Sequence, residues 1–477
     1  MDVLLIESFT FTPHLETAGE IAINSAVAGN NTGFSFIYVD NPDDSRFPPN
    51  RRFKTLGKLS WKSKVRKLES ILKNYGITIL SEEFLSEKTQ LTIQYYVQNA
   101  PDSLQELRTY NYKDAALGLS TVSSLISQTK CSHPDPDHHY ALIQRYLRSS
   151  AIVYEKARAL ILKYKPQQII SFNGRFACSK GIFEAAKQLG VEVQYHERGA
   201  TYDRYEMFDE PPHDYAYRRE KIKTYWQQAG IDREELGHTF YKRKRQGDGI
   251  GWTSFTSEQQ KGIVPEQRSN YRQIVYYSSS DDEYAAIGDL VKNPIFKNQR
   301  EAIKSLITWV SNQIDCYLTI RVHPNLNKKS LKDRNWWNSL NGKNVQVIPP
   351  DSKVDSYALI DWADVVVTYN STIGAEAAYW GKPSVVIGDN MYSGLGCVYE
   401  PRSEAEVYTL LENDTLAPLP QENCLPYGYY RLYSGITYNY YNPHSLFTGD
   451  FLGEPLSSAT RLYKSNLIKS IETPTTG

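Results

Sequence analysis

Between Asp364 and Ile387 two short apolar runs bracket a segment of helical spacing, and this pattern constrains the fold more than any other stretch of the chain. It reads as a buried strand, a polar turn, a short helix, a Gly381-Lys382-Pro383 break and a second buried strand. Val365, Val366 and Val367 have no polar alternation, as expected of a strand covered on both faces in a parallel sheet. Asn370, Ser371 and Thr372 then fall at a helix N-terminus, where unpaired N–H groups and the helix dipole favour an anion such as a phosphate. Glu376 follows one turn later and suits two vicinal hydroxyls, as a ribose presents. Ser and Thr are also ordinary helix caps, and a Glu in the first turn is ordinary dipole compensation, so the surroundings must decide between the two.

The same alternation recurs along the chain. Val3–Ile6 reads as a strand, followed by a polar turn with His14, Glu16 and Glu20, a helix over 21–28 and a strand over 34–39. Residues 55–165 are helical by pattern, with spacing near 3.6 over 141–162. A second unit follows: a strand at Gln168–Phe172, a turn at Asn173-Gly174-Arg175, a helix over 178–189 closed by Gly190, and a strand over 191–195. Residues 246–270 are rich in Gly, Gln, Ser and charge, and read as an interdomain linker. Strands at 273–277, 317–322 and 345–348 alternate with helices near 299–313 and 356–362 before the unit described first. The expected fold class is therefore α/β, with two doubly wound Rossmann-type domains facing a cleft. The expected divisions are 1–245, with a helical insertion at 55–165; the linker at 246–270; 271–420; and a Tyr-rich tail at 421–477. The tail's helix over 459–471 is expected to pack back on the first domain.

Equal numbers of acidic and basic residues, 54 of each, leave no global field to draw in nucleic acid. The N-terminus has no basic leader or cleavage site, and no apolar run approaches the roughly 20 residues that span a bilayer. A cytoplasmic protein is expected. Five scattered cysteines without a Cys-x-x-Cys pair read as free thiols. The segment from Cys131 to His139 has metal-friendly side chains but no ligand spacing, and Asp281-Asp282-Glu283 reads as a helix start, so no metal site is expected.

Upstream of the Asn370 turn, Arg321-Val322-His323-Pro324 stands at a strand exit. A histidine before a proline is held extended and can aim a ring N–H at a phosphate, with Arg321 or Lys328 supplying charge. The succession of His323-Pro324, Asp355-Ser356-Tyr357, Ala363-Asp364, Ser371-Thr372 with Gly374 and Glu376, and Gly381-Lys382-Pro383 resembles bacterial capsule-polysaccharide and lipopolysaccharide glycosyltransferases of the GT-B fold. The likeness is to Kdo transferases and bacterial sialyltransferases, and it covers about residues 270–400. It implies that Arg321, His323, Asn370, Ser371, Thr372, Gly374 and Glu376 bind a nucleotide-sugar donor. His323 would meet the phosphate or ribose, Ser371 and Thr372 the phosphate, and Glu376 the ribose hydroxyls.

In the N-terminal half, His196-Glu197-Arg198-Gly199 resembles the acidic turn that supplies a base in such enzymes, although only one acid precedes the glycine here. Glu197 is the expected base, and a structural pair with Arg198 or Arg175 is the alternative. His14 and Glu16 are the rival catalytic residues. Asn173, Arg175, His196 and Arg198 are expected on the acceptor side.

The resemblance implies transfer of Kdo or a related acidic sugar from a CMP or UDP donor to a glycan or lipid-linked glycan acceptor. It implies no cofactor and no metal, with peripheral association at the inner membrane or with a polysaccharide assembly complex. A UDP-sugar 2-epimerase and a non-catalytic glycan-binding subunit are the competing readings.

Overall fold

The computed structural model describes residues 1–40, 51–81, 83–250, 256, 259–266, 270–291, 293, 295–328, 331–340 and 342–456. Met1–Pro212 contribute strands β1 (Val3–Glu7), β2 (Thr32–Phe36), β3 (Thr78–Ile79), β4 (Gln168–Phe172), β5 (Glu192–Arg198) and β6 (Arg204–Phe208). Their helices are α1 (His14–Val27), α2 (Arg51–Asn74), α3 (Glu87–Gln98), α4 (Leu104–Thr109), α5 (Leu117–Thr129), α6 (Tyr140–Tyr164) and α7 (Lys180–Gln188). His213–Ser434 begin with α8 (Tyr215–Gln228) and α9 (Arg233–Arg245), and continue with β7 (Arg272–Tyr277), α10 (Asp281–Ala285), α11 (Gln299–Ser311), β8 (Cys316–Arg321) and α12 (Leu331–Asn338). Then come β9 (Val345–Ile348), α13 (Ser356–Trp362), β10 (Val365–Thr368), α14 (Ile373–Tyr379), β11 (Ser384–Val386), α15 (Glu404–Glu412) and α16 (Leu425–Tyr433). The last described stretch holds β12 (Ile436–Thr437), β13 (Tyr441–Ser445) and β14 (Thr448–Phe451).

These elements form two compact units. Unit one comprises Met1–Thr129, His133–Pro212 and the chain from Gly435; unit two comprises Lys130–Ser132 and His213–Ser434. The divisions thus fall at Pro212/His213 and Ser434/Gly435, not at 245 and 420. Residues 213–245 and 421–434 belong to unit two because α8, α9 and α16 share one core, in which Ile222, Phe240, Tyr241, Tyr427 and Tyr430 are buried together with Ala375 and Tyr379 of α14. The helix expected over 459–471 lies outside the described residues.

Among the described residues unit one has a seven-stranded sheet ordered β12-β6-β5-β4-β1-β2-β3, and unit two a five-stranded sheet ordered β11-β10-β7-β8-β9. Pairing is parallel from β3 through β5 and throughout the second sheet. β6 and β12 extend the first sheet antiparallel. Both parallel cores therefore follow one order, β3-β2-β1-β4-β5 and β9-β8-β7-β10-β11. In such a doubly wound sheet the winding reverses between the first and fourth strands, and the crevice beyond their carboxyl ends takes ligands. Val365, Val366 and Val367 are wholly buried, as are Leu4, Leu5 and Ile6 of β1. Each such side chain contributes about 1.5–3 kcal/mol to folding.

Several boundaries differ from the sequence reading. His14, Glu16 and Glu20 stand in α1, which begins seven residues earlier than the helix expected over 21–28, and not in a turn. The β1–α1 turn is Ser8–Pro13. Much of the expected linker is integral to unit two: Gln259 accepts the Ser356 N–H at 2.8 Å, and Gln260 N–H reaches the Lys353 carbonyl at 2.9 Å. Among the described residues no helix is long and apolar enough to cross a membrane. All five cysteines are free thiols.

Candidate functional site

In unit two the crevice at the carboxyl ends of β7, β8 and β10 is a cavity lined by Ser278, His323, Ser356, Tyr357, Ser371, Thr372 and Glu376, with Lys244, Asp248, Thr256 and Gln259 closing it. Each wall follows from a strand exit. Ser278 leaves β7 and accepts the His323 backbone N–H at 2.8 Å, which fixes the exit of β8 against that of β7. The His323 Nδ1 accepts the Asn325 N–H at 3.2 Å. A neutral ring with Nδ1 as acceptor carries its proton on Nε2, so the ring offers a donor suited to a phosphate oxygen.

Glu376 is buried in the first turn of α14. Its carboxylate accepts from the Tyr357 hydroxyl on one oxygen and from the Thr372 hydroxyl, at 3.1 Å, on the other. Burial first, and then the Glu376 charge, push the Tyr357 phenol far above its usual range, so it stays protonated and donates. Ionised carboxylate oxygens accept up to about four hydrogen bonds, which leaves Glu376 capacity for a ligand. Asp248 accepts the Ile250 N–H and the Arg243 guanidinium, both at 2.7 Å. The Ile250 N–H does most to hold its carboxyl below the ordinary Asp range, with Arg243 adding to it against partial burial. Lys244, half-buried, lines the same cavity and brings the positive charge.

Three expected donor contacts are placed otherwise. Arg321 is buried, and its guanidinium donates to the Pro349 carbonyl at 2.6 Å, the Val322 carbonyl at 3.3 Å and the Ser352 carbonyl at 3.4 Å. It borders the cavity but ties down the loop after β9, and burial lowers its pKa. Asn370 lies behind the turn, its side-chain amide donating to the Asp389 carbonyl and its backbone carbonyl accepting the Tyr284 hydroxyl at 2.8 Å. Gly374 is a packing glycine, since a Cβ there would stand 2.3 Å from the Tyr392 hydroxyl. The Gly381-Lys382-Pro383 break is likewise structural. Gly381 takes a left-handed φ of 76°, and the Lys382 ammonium caps α13 through the Asp361 and Ala363 carbonyls, each at 2.7 Å.

In unit one the corresponding crevice lies beyond β1 and β4, and it gathers His14, Asn173 and Glu197. Asn173 and Gly174 both adopt left-handed backbone, φ 57° and 73°, which turns the chain sharply out of β4. The Asn173 amide donates to Glu197, which also accepts the Arg198 N–H at 3.0 Å. The His14 ring packs 4.0 Å from the Phe172 ring centroid, and its Nδ1 lies 3.8 Å from Glu197. The Glu197 side chain remains 21% exposed, so this oriented carboxylate is open to a substrate hydroxyl. Arg198 donates to the Thr12 carbonyl at 3.3 Å and stacks over Phe447, while Arg175 stacks over Phe176.

Two other expectations for unit one are corrected by burial. His196 is wholly enclosed, its Nε2 2.8 Å from the buried Glu7 carboxylate, and reaches no ligand. Burial pushes Glu7 upward, opposed by His196 and by the Phe172 N–H. Glu16 is committed to Lys64 at 2.8 Å and to the Thr12 hydroxyl at 3.0 Å, an ion pair inside the protein. Glu20 accepts three consecutive backbone N–H groups, those of Asn439 and Tyr440 at 2.8 Å and that of Tyr441 at 3.1 Å.

Sequence reasoning missed Tyr357, Ser278, Lys244, Asp248, Thr256 and Gln259 as lining residues. Ser278 was within reach, because it leaves the first strand of a doubly wound half. The last three came from the stretch read as a linker, and Lys244 stands two residues before it. Among the described residues no group of three or more His, Cys, Asp or Glu side chains is placed to hold a metal ion.

Residues 263–409 match the family model described as capsule polysaccharide biosynthesis protein. That span contains every cavity residue of unit two except Lys244, Asp248, Thr256 and Gln259. No curated protein matches the chain. Among solved structures, it is similar to the beta Kdo 2,7 transferase of Thermosulfurimonas dismutans KpsC at 14% identity, covering 66% of this chain and 89% of that one, with a TM-score of 0.36. The beta Kdo 2,4 transferase of the same protein is similar at 11% identity, over 63% of this chain and 87% of that one, with a TM-score of 0.34. The UDP-GlcNAc 2-epimerase from Neisseria meningitidis, bound to UDP-GlcNAc, is similar at 13% identity, over 98% of this chain and 100% of that one, with a TM-score of 0.27.

Proposed function

We propose that this protein is a glycosyltransferase of capsule-type surface polysaccharide synthesis, which holds a nucleotide-sugar donor on unit two and activates a glycan acceptor on unit one. The observation that carries this reading is the convergence of His323, Ser371, Thr372, Glu376 and Lys244 on the cavity beyond β7, β8 and β10, almost wholly within the span that matches the capsule family. The pattern suits a nucleoside phosphate. Lys244 and the His323 ring meet the phosphate charge, the Ser371 and Thr372 hydroxyls add donors, and Glu376 accepts from ribose hydroxyls. CMP-linked Kdo or a related acidic sugar is the donor we favour, through the His-Pro and Ser-Thr resemblance.

The reaction forms a bond from an acceptor hydroxyl oxygen to the anomeric carbon and breaks the bond from that carbon to the nucleotide phosphate. Glu197, oriented by Asn173 and beside His14, takes the hydroxyl proton. Charge on the departing phosphate is met by Lys244 and His323, so a metal ion has no required place in this scheme. The acceptor is a glycan or lipid-linked glycan, and the enzyme works in the cytoplasm at the inner face of the membrane.

A thermal-shift series with CMP, UDP, GDP and dTDP tests the donor side, because a ligand that binds only the native state raises its stability. A shift with CMP and transfer of labelled sugar to an acceptor glycan are expected. Release of an altered free nucleotide sugar without any acceptor would make it an epimerase, and no shift with any nucleotide would sink both enzyme readings.

A further inference from the structure

The chain is electrically neutral overall, yet α2 carries nine Lys and Arg against the single acidic Glu69. Its inner face is accounted for: Val65, Leu68 and Leu72 pack into the core of unit one, Lys64 pairs with Glu16, and Lys67 pairs with Glu454. Lys62, Arg66 and Lys73, spaced by four and seven residues, share a flanking face and are exposed, with Glu69 within electrostatic reach of Arg66 and Lys73. Beside this face lies a cavity of about 510 Å³ whose wall includes Lys62 of α2, Phe84 ahead of α3, and Arg148 and Lys156 of α6. Its rim is apolar as well as cationic. Phe84 is fully exposed, and Leu91 and Tyr95, one turn apart on the outer face of α3, are 59% and 70% exposed, while Ile93, Tyr96 and Val97 hold the inner face of that helix.

Cations and protruding apolar side chains side by side are the chemistry of a bilayer interface, where ammonium and guanidinium groups meet headgroup phosphates and apolar groups enter the acyl boundary. We propose that unit one docks on an anionic phospholipid surface through the outer face of α2 and the Phe84–Tyr95 edge. Lys62, Arg66, Lys73 and Arg148 lie against headgroup phosphates, and Phe84, Leu91 and Tyr95 enter the interfacial layer. The inference gives the membrane side of the proposed function a surface. It does not depend on the identity of the donor. Nucleic acid would satisfy the cations but leave Phe84 and Leu91 without a role.

Sedimentation of the full chain with vesicles tests it, using phosphatidylcholine alone or mixed with phosphatidylglycerol. Retention on the mixed vesicles only, weakening as salt screens the charges, is expected. Each cation near an anionic surface is worth about fivefold in partitioning, so loss of three costs about a hundredfold, and the K62E/R66E/K73E variant, which also adds three repelled carboxylates, should bind more than a hundredfold more weakly. F84S/L91S should lose the part of the binding that survives high salt. Equal retention on neutral vesicles, undiminished binding by the charge-reversal variant, or tighter binding to duplex DNA at the same salt would overturn the proposal. The nucleotide thermal shift, read on the same variants, reports on unit two, so its loss in the wild type would end the donor reading and leave the vesicle result standing.

Discussion

Glu376 owes its position to two hydroxyls, and that changes what its removal does. The carboxylate is buried between Tyr357 and Thr372, so truncation to Ala strips both donors of their acceptor. Glu376→Ala should therefore weaken nucleotide binding and also lower stability, by about 1.5–3 kcal/mol for bonds to a charged group. Calorimetric titration with nucleotide and thermal unfolding check the two effects separately. A variant that keeps full affinity would remove Glu376 from the ribose contact.

Glu197 behaves differently, being partly exposed and held by an amide and a backbone N–H. Glu197→Gln keeps an acceptor for Asn173 and loses the base. Transfer should fall about 10²–10⁴-fold with donor affinity unchanged. Full turnover in that variant would pass the role to His14, the rival base beside Glu197 in this crevice.

At the scale of elements, α1 does more than cover β1. Its Glu20 collects the N–H groups of Asn439, Tyr440 and Tyr441, so one carboxylate ties the chain entering β13 to the first helix. Glu20→Ala would leave three backbone donors without their acceptor. At about 1–3 kcal/mol for each unsatisfied group, the loss should be one of the largest from a single substitution in unit one. A urea-unfolding series would measure it, and faster amide exchange at 439–441 should accompany it.

Elements also explain what the sequence disclosed and what it hid. β4, β9 and α13 begin and end where their patterns place them, because apolar runs in parallel sheets and an Asp355 cap are local signals. The Asp355 carboxylate accepts from Tyr357 and Ala358 N–H as that cap requires. The start of α1 was hidden because His14, Glu16 and Glu20 look like turn residues. Their partners, Glu197, Lys64 and the 439–441 backbone, are far away in the chain, and no periodicity encodes them. The role of Arg321 was half hidden for a similar reason: its charge suggested a phosphate, and although it borders the cavity, its guanidinium also donates to carbonyls of the loop after β9, which no local pattern encodes. The Gly- and Gln-rich stretch before β7 has no apolar period and so read as a linker, although Asp248 and Gln259 fasten it beside the cavity.

For the whole molecule, the chain leaves unit one at Pro212, builds unit two, and returns at Gly435 to add β12 beside β6 and the β13–β14 hairpin. The return segment is integral, since Phe451 and Tyr441 sit in the same core as Leu15, Leu68 and Phe34. Ending the chain at Ser434 should therefore destabilise unit one by several kcal/mol, through the lost burial of these aromatics at about 3–5 kcal/mol each. Unit two should keep its own melting transition and its nucleotide-induced shift. Differential scanning calorimetry of the truncated and full chains would separate the two, and an unchanged unit-one transition would refute the structural role of the return.

That return also sets an order of assembly during synthesis. Domains usually fold in the sequence in which they leave the ribosome, the first one first. Here every residue of unit two has emerged by Ser434, whereas unit one must wait for Tyr441 and Phe451 to finish its core and for Asn439 to meet Glu20. The half of the protein that is begun first is completed last.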